Sequence, residues 1–292
     1  MVLPCFNEVG HVVEELDRIT DSLDASGLSY DLDVYDDLST DGTRELLAEI
    51  ASKGTYPRMR YFPRQRNGGS GTIRRIGTQD ARGELVAWTD ADMTYPNERI
   101  PEMVRVLQDD RSFDHLVGAR TSEEGSHKLL RVPAKFVIRK VAEVLTGSKI
   151  PDLNSGLRVF RREVALPYLR LLPPGFSCVT TITVSFLANQ HEVRYLPIDY
   201  GKRAGKSKFK FVKDAYKYIL QVLRMVMYFN PIKVLMPLAL AVMGIGVVKL
   251  VVDLAIHHFR VTGSTVLALL VGFQIGALAL IGDLVVRSRD SN

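Results

Sequence analysis

The chain has 292 residues, a formal net charge of +5 and a 46% share of hydrophobic residues. This length predicts one large domain with an appendage rather than two full domains. The mild positive charge is compatible with nucleic acid, an anionic membrane or a phosphorylated substrate, and does not choose among them. Two cysteines, Cys5 and Cys178, without a cysteine and histidine cluster at metal spacing, argue against a disulfide framework and a structural zinc site and favour cytosolic chemistry.

The first 120 residues alternate predicted strands with predicted helices. Apolar or alternating runs at 2–3, 30–35, 59–62 and 85–88 are typical of strands, and apolar residues at helical spacing follow the first three runs. The chain opens in the first strand, so we expect no signal peptide. Strands alternating with helices predict an α/β fold with a mostly parallel sheet, whose ligands bind beyond the carboxyl ends of the strands.

Two carboxylates, Asp90 and Asp92, directly follow the fourth predicted strand. Carboxylates one residue apart at a strand-to-loop junction can place two hard oxygen ligands on one Mg²⁺ or Mn²⁺ ion, which would bridge to substrate phosphates. The alternative is an ordinary surface turn, since aspartate is common in turns. Asn7, Asp36 and Gly68 follow the other predicted strands, so all of these loops should share one rim, which favours the functional interpretation.

The loops contain the segments Pro4–Glu8, Asp36–Thr43, Asn67–Gly71 and Asp90–Asp92. In order and spacing these segments resemble the large family of inverting glycosyltransferases with a Rossmann-like, nucleotide-sugar-binding fold. Later segments are similar to the polyprenyl-phosphate hexose synthases, which include the dolichyl-phosphate mannose synthases; these segments are Gly118–Arg120, Asp152–Phe160 and Tyr200–Lys208. The resemblance implies a catalytic domain over residues 1–208.

The resemblance implies a donor site on the rim. The implied nucleotide-sugar-binding residues are Pro4, Phe6, Asn7, Glu8, Asp36, Asp37, Asn67, Gly68, Ser70, Asp90 and Ala91. Asp36 of this set would meet the base, and Asp90, together with Asp92 and Thr94, would hold Mg²⁺ or Mn²⁺. Two positions depart from the family pattern: Leu38 stands where glycine is usual, and Thr94 stands where glutamine often completes the metal shell. Threonine can still bind the metal, directly or through water.

The resemblance also implies a site for an acceptor phosphate, for which arginine is suited because its planar guanidinium binds two phosphate oxygens at once and stays charged. The implied acceptor residues are Arg120, Arg131, Arg158, Arg203, Ser207 and Lys208, and the implied catalytic residues are Asp92, Asp152 and Arg203. Asp152 lies where related sugar transferases place a base. A phosphate monoester, with a second pKa near about 6, is already largely dianionic at neutral pH. We therefore expect Asp152 to position groups rather than to remove a proton.

After residue 208 the pattern becomes that of a membrane protein. Residues 209–230 place apolar side chains at helical spacing and basic side chains opposite, which predicts a helix in the plane of the membrane surface; a surface helix packed on the domain is the alternative. Residues 231–257 and 265–287 are each long enough to span a bilayer, with a buried soluble hairpin as the alternative. Lys249 and Asp253 interrupt the first span, so we expect them to pair or to face a partner helix.

Basic residues flank the two spans at Arg224, Lys233, Arg287 and Arg289. Because cytoplasmic flanks are enriched in lysine and arginine, they predict a multi-pass protein of the cell membrane with a cytoplasmic catalytic domain. Small residues that let helices approach closely predict a homo-oligomer, with a tetramer suggested by the resemblance. These residues are Gly244, Gly246, Gly272 and Gly276.

The favoured function is transfer of a hexose from a nucleotide sugar to polyprenyl monophosphate with inversion, without nucleic acid as a partner. The two-helix anchor resembles that of bacterial glucosyl-type members, which favours UDP-glucose as donor, with GDP-mannose next. One alternative is a processive polysaccharide synthase, although such enzymes usually have more spanning helices and a Gln-x-x-Arg-Trp-like motif, and the single tryptophan here is Trp88. The other is a non-catalytic, membrane-tethered nucleotide-sugar-binding protein, against which Asp90 and Asp92 argue.

Overall fold

The described residues before position 200 form a seven-stranded sheet. The computed structural model describes residues 1–121, 139–140, 142–144, 146–175, 177–201, 220, 223–224, 227–228, 230–256 and 260–290. The strands are β1 (Val2–Cys5), β2 (Leu32–Asp36), β3 (Met59–Pro63), β4 (Leu85–Trp88), β5 (His115–Arg120), β6 (Arg158–Arg161) and β7 (Val193–Ile198). Their spatial order is β3-β2-β1-β4-β6-β5-β7. Strand β6 runs antiparallel to both neighbours and the other pairs are parallel, which confirms the predicted mostly parallel sheet.

Helices cover both faces of this sheet. They are α1 (Val12–Ser26), α2 (Thr43–Lys53), α3 (Ser70–Asp80), α4 (Ile100–Asp109), α5 (Arg162–Ala165) and α6 (Cys178–Ala188), with 3₁₀ turns at Asn97–Arg99 and Leu166–Leu171. Leu3 and Val34 belong to the apolar cluster that contains Leu16 of α1, whereas Val2 belongs to the cluster that contains Ile73 of α3. Successive strand residues face opposite sides, so the central strands are buried on both faces.

Helix α3 begins at Ser70, inside the Asn67–Gly71 segment. Its first turn is packed tightly against a proline turn. The N–H of Gly71 donates to the carbonyl of Pro174 at 2.9 Å, and a Cβ on Gly71 would lie 2.1 Å from the carbonyl oxygen of Pro173. The proline turn therefore fixes the start of α3, a packing role that the sequence did not indicate.

His115, the first residue of β5, is a buried and uncharged histidine. Its ring lies edge-on to Phe160 and Phe186, with centroid distances of 5.6 and 4.9 Å. Neither ring nitrogen has a hydrogen-bond partner among the described residues. Burial, together with the positive charge of Arg158, holds the pKa of His115 well below its usual range. Protonation of His115 is therefore coupled to unfolding.

We expect His115→Phe to make the protein more resistant to acid. The unfolded chain binds a proton at this histidine below pH about 6.5, and the folded protein does not, so folding loses free energy as the pH falls below that value. Phenylalanine removes this loss, by up to about 1.4 kcal/mol for each pH unit below about 6. Urea unfolding of variant and wild type at pH 7.5 and 5.5 measures the effect. An equal stability difference at both pH values would contradict a neutral, buried His115.

Two long helices follow the sheet domain, α7 (Pro231–Ile256) and α8 (Gly263–Asp290). Their most apolar stretches have mean hydropathies of 2.3 and 2.2, and both helices exceed the roughly 20 residues that cross a bilayer. The predicted spans at 231–257 and 265–287 coincide closely with them. The predicted interfacial helix at 209–230 lies mostly outside the described residues, and the domain boundaries stay predictions.

Two glycines of the hairpin, Gly246 and Gly272, pack α7 against α8 within one chain. A Cβ on Gly272 would lie 2.9 Å from the backbone nitrogen of Met243, and a Cβ on Gly246 would lie 2.8 Å from the side chain of Leu269. These two glycines therefore do not supply the free surface on which the predicted homo-oligomer was argued. The expected role of Gly246 and Gly272 in contacts between chains is therefore corrected, and the oligomeric state stays a prediction.

Asp253 of α7 faces the start of α8, which is one of the two expected alternatives. Its Oδ2 accepts hydrogen bonds from the N–H and hydroxyl of Thr262, both at 2.8 Å, and from the hydroxyl of Thr265 at 2.6 Å. Among the described residues no ion pair joins Lys249 to Asp253. The carboxylate therefore holds the two helices together where the chain reverses.

Candidate active site

Three loops at the carboxyl edge of the parallel strands are tied together by hydrogen bonds. Asn7 Oδ1, after β1, accepts from the N–H of Thr40 at 2.8 Å, and the N–H of Asn7 donates to Ser39 Oγ at 3.0 Å. Asn67 Nδ2, after β3, donates to the carbonyl of Asp37 at 2.9 Å. Residues distant in sequence thus meet on one rim, as the order of strands predicts.

Asp37 shapes the glycine loop. Its two carboxylate oxygens accept the N–H groups of Gly68 and Gly69 at 2.8 and 2.7 Å, and Arg64 Nε lies 3.7 Å away. These contacts hold the backbone at the entrance to α3. A direct contact of Asp37 with a nucleotide stays a prediction.

Asp36 and Leu38 form a tight turn at the end of β2. Asp36 is fully buried, and its carboxylate accepts the N–H of Ser39 at 3.2 Å. Leu38 has φ +66°, a left-handed conformation that costs a side-chain-bearing residue roughly 1–2 kcal/mol. This geometry is the physical reason for the glycine expected at that position. The predicted contact between Asp36 and a base stays a prediction.

The remaining predicted donor-site residues lie on or beside the same rim. Pro4 lies in β1, Phe6 and Glu8 lie in the loop that follows it, Ser70 lies in the first turn of α3, and Ala91 lies between the two aspartates. Their contacts with a nucleotide sugar stay predictions.

Asp90 and Asp92 each have a partner within the chain. Asp90 Oδ1 accepts from the guanidinium of Arg74 at 2.8 Å. Asp92 is nearly buried, and its Oδ1 accepts from the hydroxyl of Thr94 at 2.5 Å. A Cβ on Gly156 would lie 2.7 Å from Asp90 Oδ2, so a side chain at this position would collide with that oxygen. Arg74 therefore holds one oxygen of Asp90, and the absence of a side chain at Gly156 leaves the second oxygen in place.

The chemistry of this loop fits a magnesium or manganese ion. Asp90, Asp92 and Thr94 offer hard oxygen atoms, and a side chain at Gly156 would collide with one of them. Among the described residues no group of three or more histidine, cysteine, aspartate or glutamate side chains could hold a metal ion. Mg²⁺ is usually bound through one or two carboxylates plus substrate phosphates, so two aspartates suffice if a diphosphate supplies the other ligands.

Arg74 is a site residue that the sequence did not identify. It is fully buried under the rim, where it donates to Asp90 and, at 3.3 Å, to the carbonyl of Thr89, and it lies over the ring of Trp88 at 5.6 Å. Burial acts to lower the pKa of Arg74, but Asp90, Cys178 and Tyr95 together outweigh burial, and the pKa is raised. Arg74 lies beside Ile73, on the face of α3 that turns to the sheet. This position is the sequence feature that could have identified Arg74 as a buried residue.

Arg120 and Asp152 form a two-pronged ion pair on the far side of the rim. Arg120 Nε and a terminal guanidinium nitrogen donate to the two carboxylate oxygens at 2.7 and 3.0 Å, and the N–H of Asn154 donates at 2.9 Å. Burial acts to raise the pKa of Asp152, but the hydrogen bonds and charge of Arg120, with backbone N–H groups, outweigh it and lower the pKa. Asp152 is therefore a stable carboxylate rather than a group poised to take a proton.

Two tyrosines join the aspartate loop to the Arg120 and Asp152 side. The hydroxyl of Tyr95 accepts the N–H of Gly156 at 2.7 Å, and its ring lies 5.1 Å from that of Tyr200. Arg120 lies over the ring of Tyr200, also at 5.1 Å. The two predicted halves of the site thus share a packed boundary.

A model of the family described as "Glycosyl transferase family 2" matches residues 1–168, which is more than half of the chain. The chain belongs to this family. A second model, described as "GtrB C-terminal hairpin", matches residues 230–287, the region of α7 and α8. The glycosyltransferase family that the motifs resemble is therefore confirmed, and the hairpin matches a separate family model.

Two curated relatives of this family 2 glycosyltransferase are named as polyprenyl-phosphate sugar transferases. The chain is 28% identical to a dolichol-phosphate mannosyltransferase of Pyrococcus furiosus, over 77% of this chain and 62% of the relative. It is 27% identical to an undecaprenyl-phosphate 4-deoxy-4-formamido-L-arabinose transferase of Salmonella paratyphi B, over 73% of this chain and 63% of the relative. The chain thus spans less than two thirds of either protein.

A similar solved structure is that of glucosyl-3-phosphoglycerate synthase from Mycobacterium tuberculosis in complex with Mn²⁺, UDP and phosphoglyceric acid. The TM-score is 0.60 with 18% sequence identity, over 77% of each chain. At 18% identity this similarity shows only that the two proteins share the fold of the glycosyltransferase domain.

Arg158 of this glycosyltransferase does not lie where the sequence placed it. It is fully buried in β6, and its guanidinium donates to the carbonyl of Val179 and the hydroxyl of Thr183, both at 2.9 Å, and to the carbonyl of Ser155. Burial, with the nearby charge of Arg74, lowers its pKa to about 10. The expectation that Arg158 meets an acceptor phosphate is corrected, because protein carbonyl and hydroxyl groups occupy both terminal nitrogens of its guanidinium inside the core.

Four predicted acceptor residues of the glycosyltransferase lie outside the described residues. They are Arg131, Arg203, Ser207 and Lys208. Their roles stay predictions, including the catalytic role of Arg203. Arg120 is the predicted acceptor residue that the structure places beside Asp152.

Proposed function

We propose that this family 2 glycosyltransferase transfers a hexose from a nucleotide sugar to polyprenyl monophosphate with inversion of configuration. The observation that carries the proposal is the joining, in one chain, of a rim bearing Asp90 and Asp92 to a hairpin long enough to cross a bilayer. A lipid acceptor presents its phosphate at the membrane surface, where such a hairpin would hold the domain. The names of both relatives include a polyprenyl phosphate, which supports this acceptor class.

UDP-glucose is the proposed donor, with GDP-mannose second. The two-helix anchor resembles that of bacterial glucosyl-type members, which favours UDP-glucose. One relative is named as a mannosyltransferase, so GDP-mannose is the second choice. A thermal-shift screen of nucleotide sugars with Mn²⁺ tests the choice, because a ligand at a hundred times its Kd stabilises the fold by about 2.7 kcal/mol. Sugar transfer to polyprenyl phosphate with the stabilising donor then tests the reaction. A stabilising donor without any turnover would favour a non-catalytic binding protein.

A divalent ion bound by Asp90 and Asp92 would neutralise the charge that develops on the nucleoside diphosphate as it leaves. The residues around it have separate tasks. Arg74 fixes one oxygen of Asp90, and the hydroxyl of Thr94 orients Asp92. The protein therefore keeps the two carboxylates in place before any ligand arrives.

Asp92→Asn should abolish transfer while the fold stays intact, since loss of leaving-group stabilisation costs several kcal/mol of transition-state free energy. Chelation of the wild type should act in the same way and be reversed by added Mg²⁺ or Mn²⁺. Initial rates and circular dichroism measure both effects. Asp109→Asn, an exposed substitution at the end of α4, is the control. Full wild-type activity in excess EDTA would refute the metal requirement.

Asp152 acts on the acceptor side as a positioning group. The acceptor phosphate is already largely dianionic at neutral pH, so its attack on the anomeric carbon requires no base. Asp152 instead orients Arg120 through two hydrogen bonds. Arg120 would help to align the phosphate with the sugar, and alignment of this kind lowers the barrier by removing unproductive orientations.

We expect Asp152→Asn to slow transfer less than about a hundredfold, the lower end of the range for a lost general base. Because the pKa of Asp152 is lowered, the carboxylate stays ionised above pH 5, and wild type and variant should show kcat profiles of the same shape from pH 5 to 9. Arg203→Ala should instead raise the acceptor KM sharply. Loss of an acid limb in the variant, with a larger fall in kcat, would identify Asp152 as a base.

The proposed location is the cell membrane, with the catalytic domain and both flanks of the hairpin in the cytoplasm. Basic residues before α7 and after α8 support this orientation. The turn between the helices would then face outwards. Thr262 donates to Asp253, so a substitution at position 262 would disturb the contact between the helices. The exposed neighbour Val261 is therefore used as the reporter position.

In intact cells, Val261→Cys should react with an impermeant thiol reagent, and Ser291→Cys should react only after permeabilisation. The native thiols Cys5 and Cys178 are buried and provide a low background. Gel-shift labelling measures both positions. Labelling of position 291 with protection of position 261 would reverse the orientation.

A further inference from the structure

The loop that carries Asp90 and Asp92 is held from behind by a buried polar group of α1. Glu15 is fully buried, and its Oε1 accepts from Asn97 Nδ2 at 2.7 Å and from Arg18 at 2.9 Å. Asn97, in the 3₁₀ turn after the loop, is also fully buried. A carboxyl group is therefore kept away from water next to the predicted metal loop.

The network of Glu15, Arg18 and Asn97 reaches the loop near both of its ends. Asn97 Oδ1 accepts from the hydroxyl of Thr89, which precedes Asp90, and Asn97 Nδ2 lies 3.4 Å from the carbonyl of Asp90. Arg18 donates to the carbonyl of Tyr95 at 2.5 Å. One carboxylate on α1 thus controls the two backbone segments that bracket both aspartates.

The backbone between these two points requires such support. Met93 has φ +61°, a left-handed conformation that is uncommon for residues other than glycine. Conformations of this kind persist where the surrounding structure fixes them. A buried polar network also stabilises one arrangement strongly, because any displacement leaves a donor or an acceptor without a partner.

We infer that Glu15, acting through Asn97 and Arg18, is a positioning residue that holds the loop in the conformation in which Asp90 and Asp92 bind a divalent ion. Glu15 reaches the loop through Asn97, through Arg18 and through the backbone of Met93, so it acts on the loop backbone. The inference rests on the proposed function, since it assigns the metal to the same two carboxylates. It adds a set of residues from α1 and the 3₁₀ turn to the determinants of metal affinity.

The test is direct measurement of Mn²⁺ binding to the full chain in detergent, by electron paramagnetic resonance of free Mn²⁺ with saturating UDP or GDP. Asn97→Ala and Glu15→Ala should each raise the Mn²⁺ Kd at least tenfold at a temperature where the variant is folded. Glu15→Gln, which keeps the shape and one acceptor, should show a smaller rise. Leu23→Ala is the matched control, because Leu23 is a buried residue of the same helix about 12 Å further along its axis.

The control separates positioning from loss of stability. A buried leucine changed to alanine costs about 2–5 kcal/mol, so Leu23→Ala should lower the Tm while the Mn²⁺ Kd stays at the wild-type value. Wild-type Mn²⁺ affinity in Asn97→Ala and Glu15→Ala would overturn the inference, and so would an equal loss of affinity in Leu23→Ala. Wild-type protein that binds no Mn²⁺ with either nucleotide would overturn the proposed metal site and this inference together.

Discussion

Charge compensation at the end of β4 is the constraint on which the rim depends. Two carboxylates one residue apart repel each other. Burial adds a desolvation cost to folding unless each carboxylate accepts a hydrogen bond from a donor. Arg74 meets Asp90 because α3 lies very close to the sheet, where a Cβ on Gly77 would be 2.4 Å from Val2. The proline turn fixes the start of the same helix at Gly71. Two glycines of α3 therefore allow the approach that brings a buried arginine under the predicted metal loop.

The fold and the rim could be predicted because they follow from local patterns and one topological rule. Strand and helix periodicity gave the parallel sheet, and parallel strands place their following loops at one edge. The environment of each arginine could not be predicted in this way. The sequence predicts a ligand-binding Arg158 and does not single out Arg74, yet both are buried. Partners distant in sequence decide that outcome, namely Asp90 for Arg74 and the carbonyl of Val179 for Arg158.

The hairpin shows the same limit of sequence information. Glycine spacing correctly indicated that helices approach closely, but it carries no information about which helix is the neighbour. In the structure Gly246 and Gly272 receive the opposite helix of the same chain. Asp253 strengthens that pairing by accepting from Thr262 and Thr265, so the polar residue that interrupts the first span serves the hairpin itself.

The Arg120 and Asp152 pair limits what the described residues offer an anionic acceptor. Because Asp152 neutralises Arg120 at 2.7 Å, the pair carries almost no net charge, although it retains a fixed orientation. Under the proposed function the cations that attract a phosphate dianion would lie elsewhere, and the predicted ones, Arg131, Arg203 and Lys208, follow Thr121 and Gly201 in sequence. Both of these residues are anchored beside the rim, Thr121 by its N–H to the carbonyl of Ile198 at 3.0 Å and Gly201 by its N–H to the carbonyl of Thr94 at 2.9 Å. The described residues that precede the predicted cations are therefore fixed next to the aspartate loop, and Asp152 contributes the fixed orientation of Arg120.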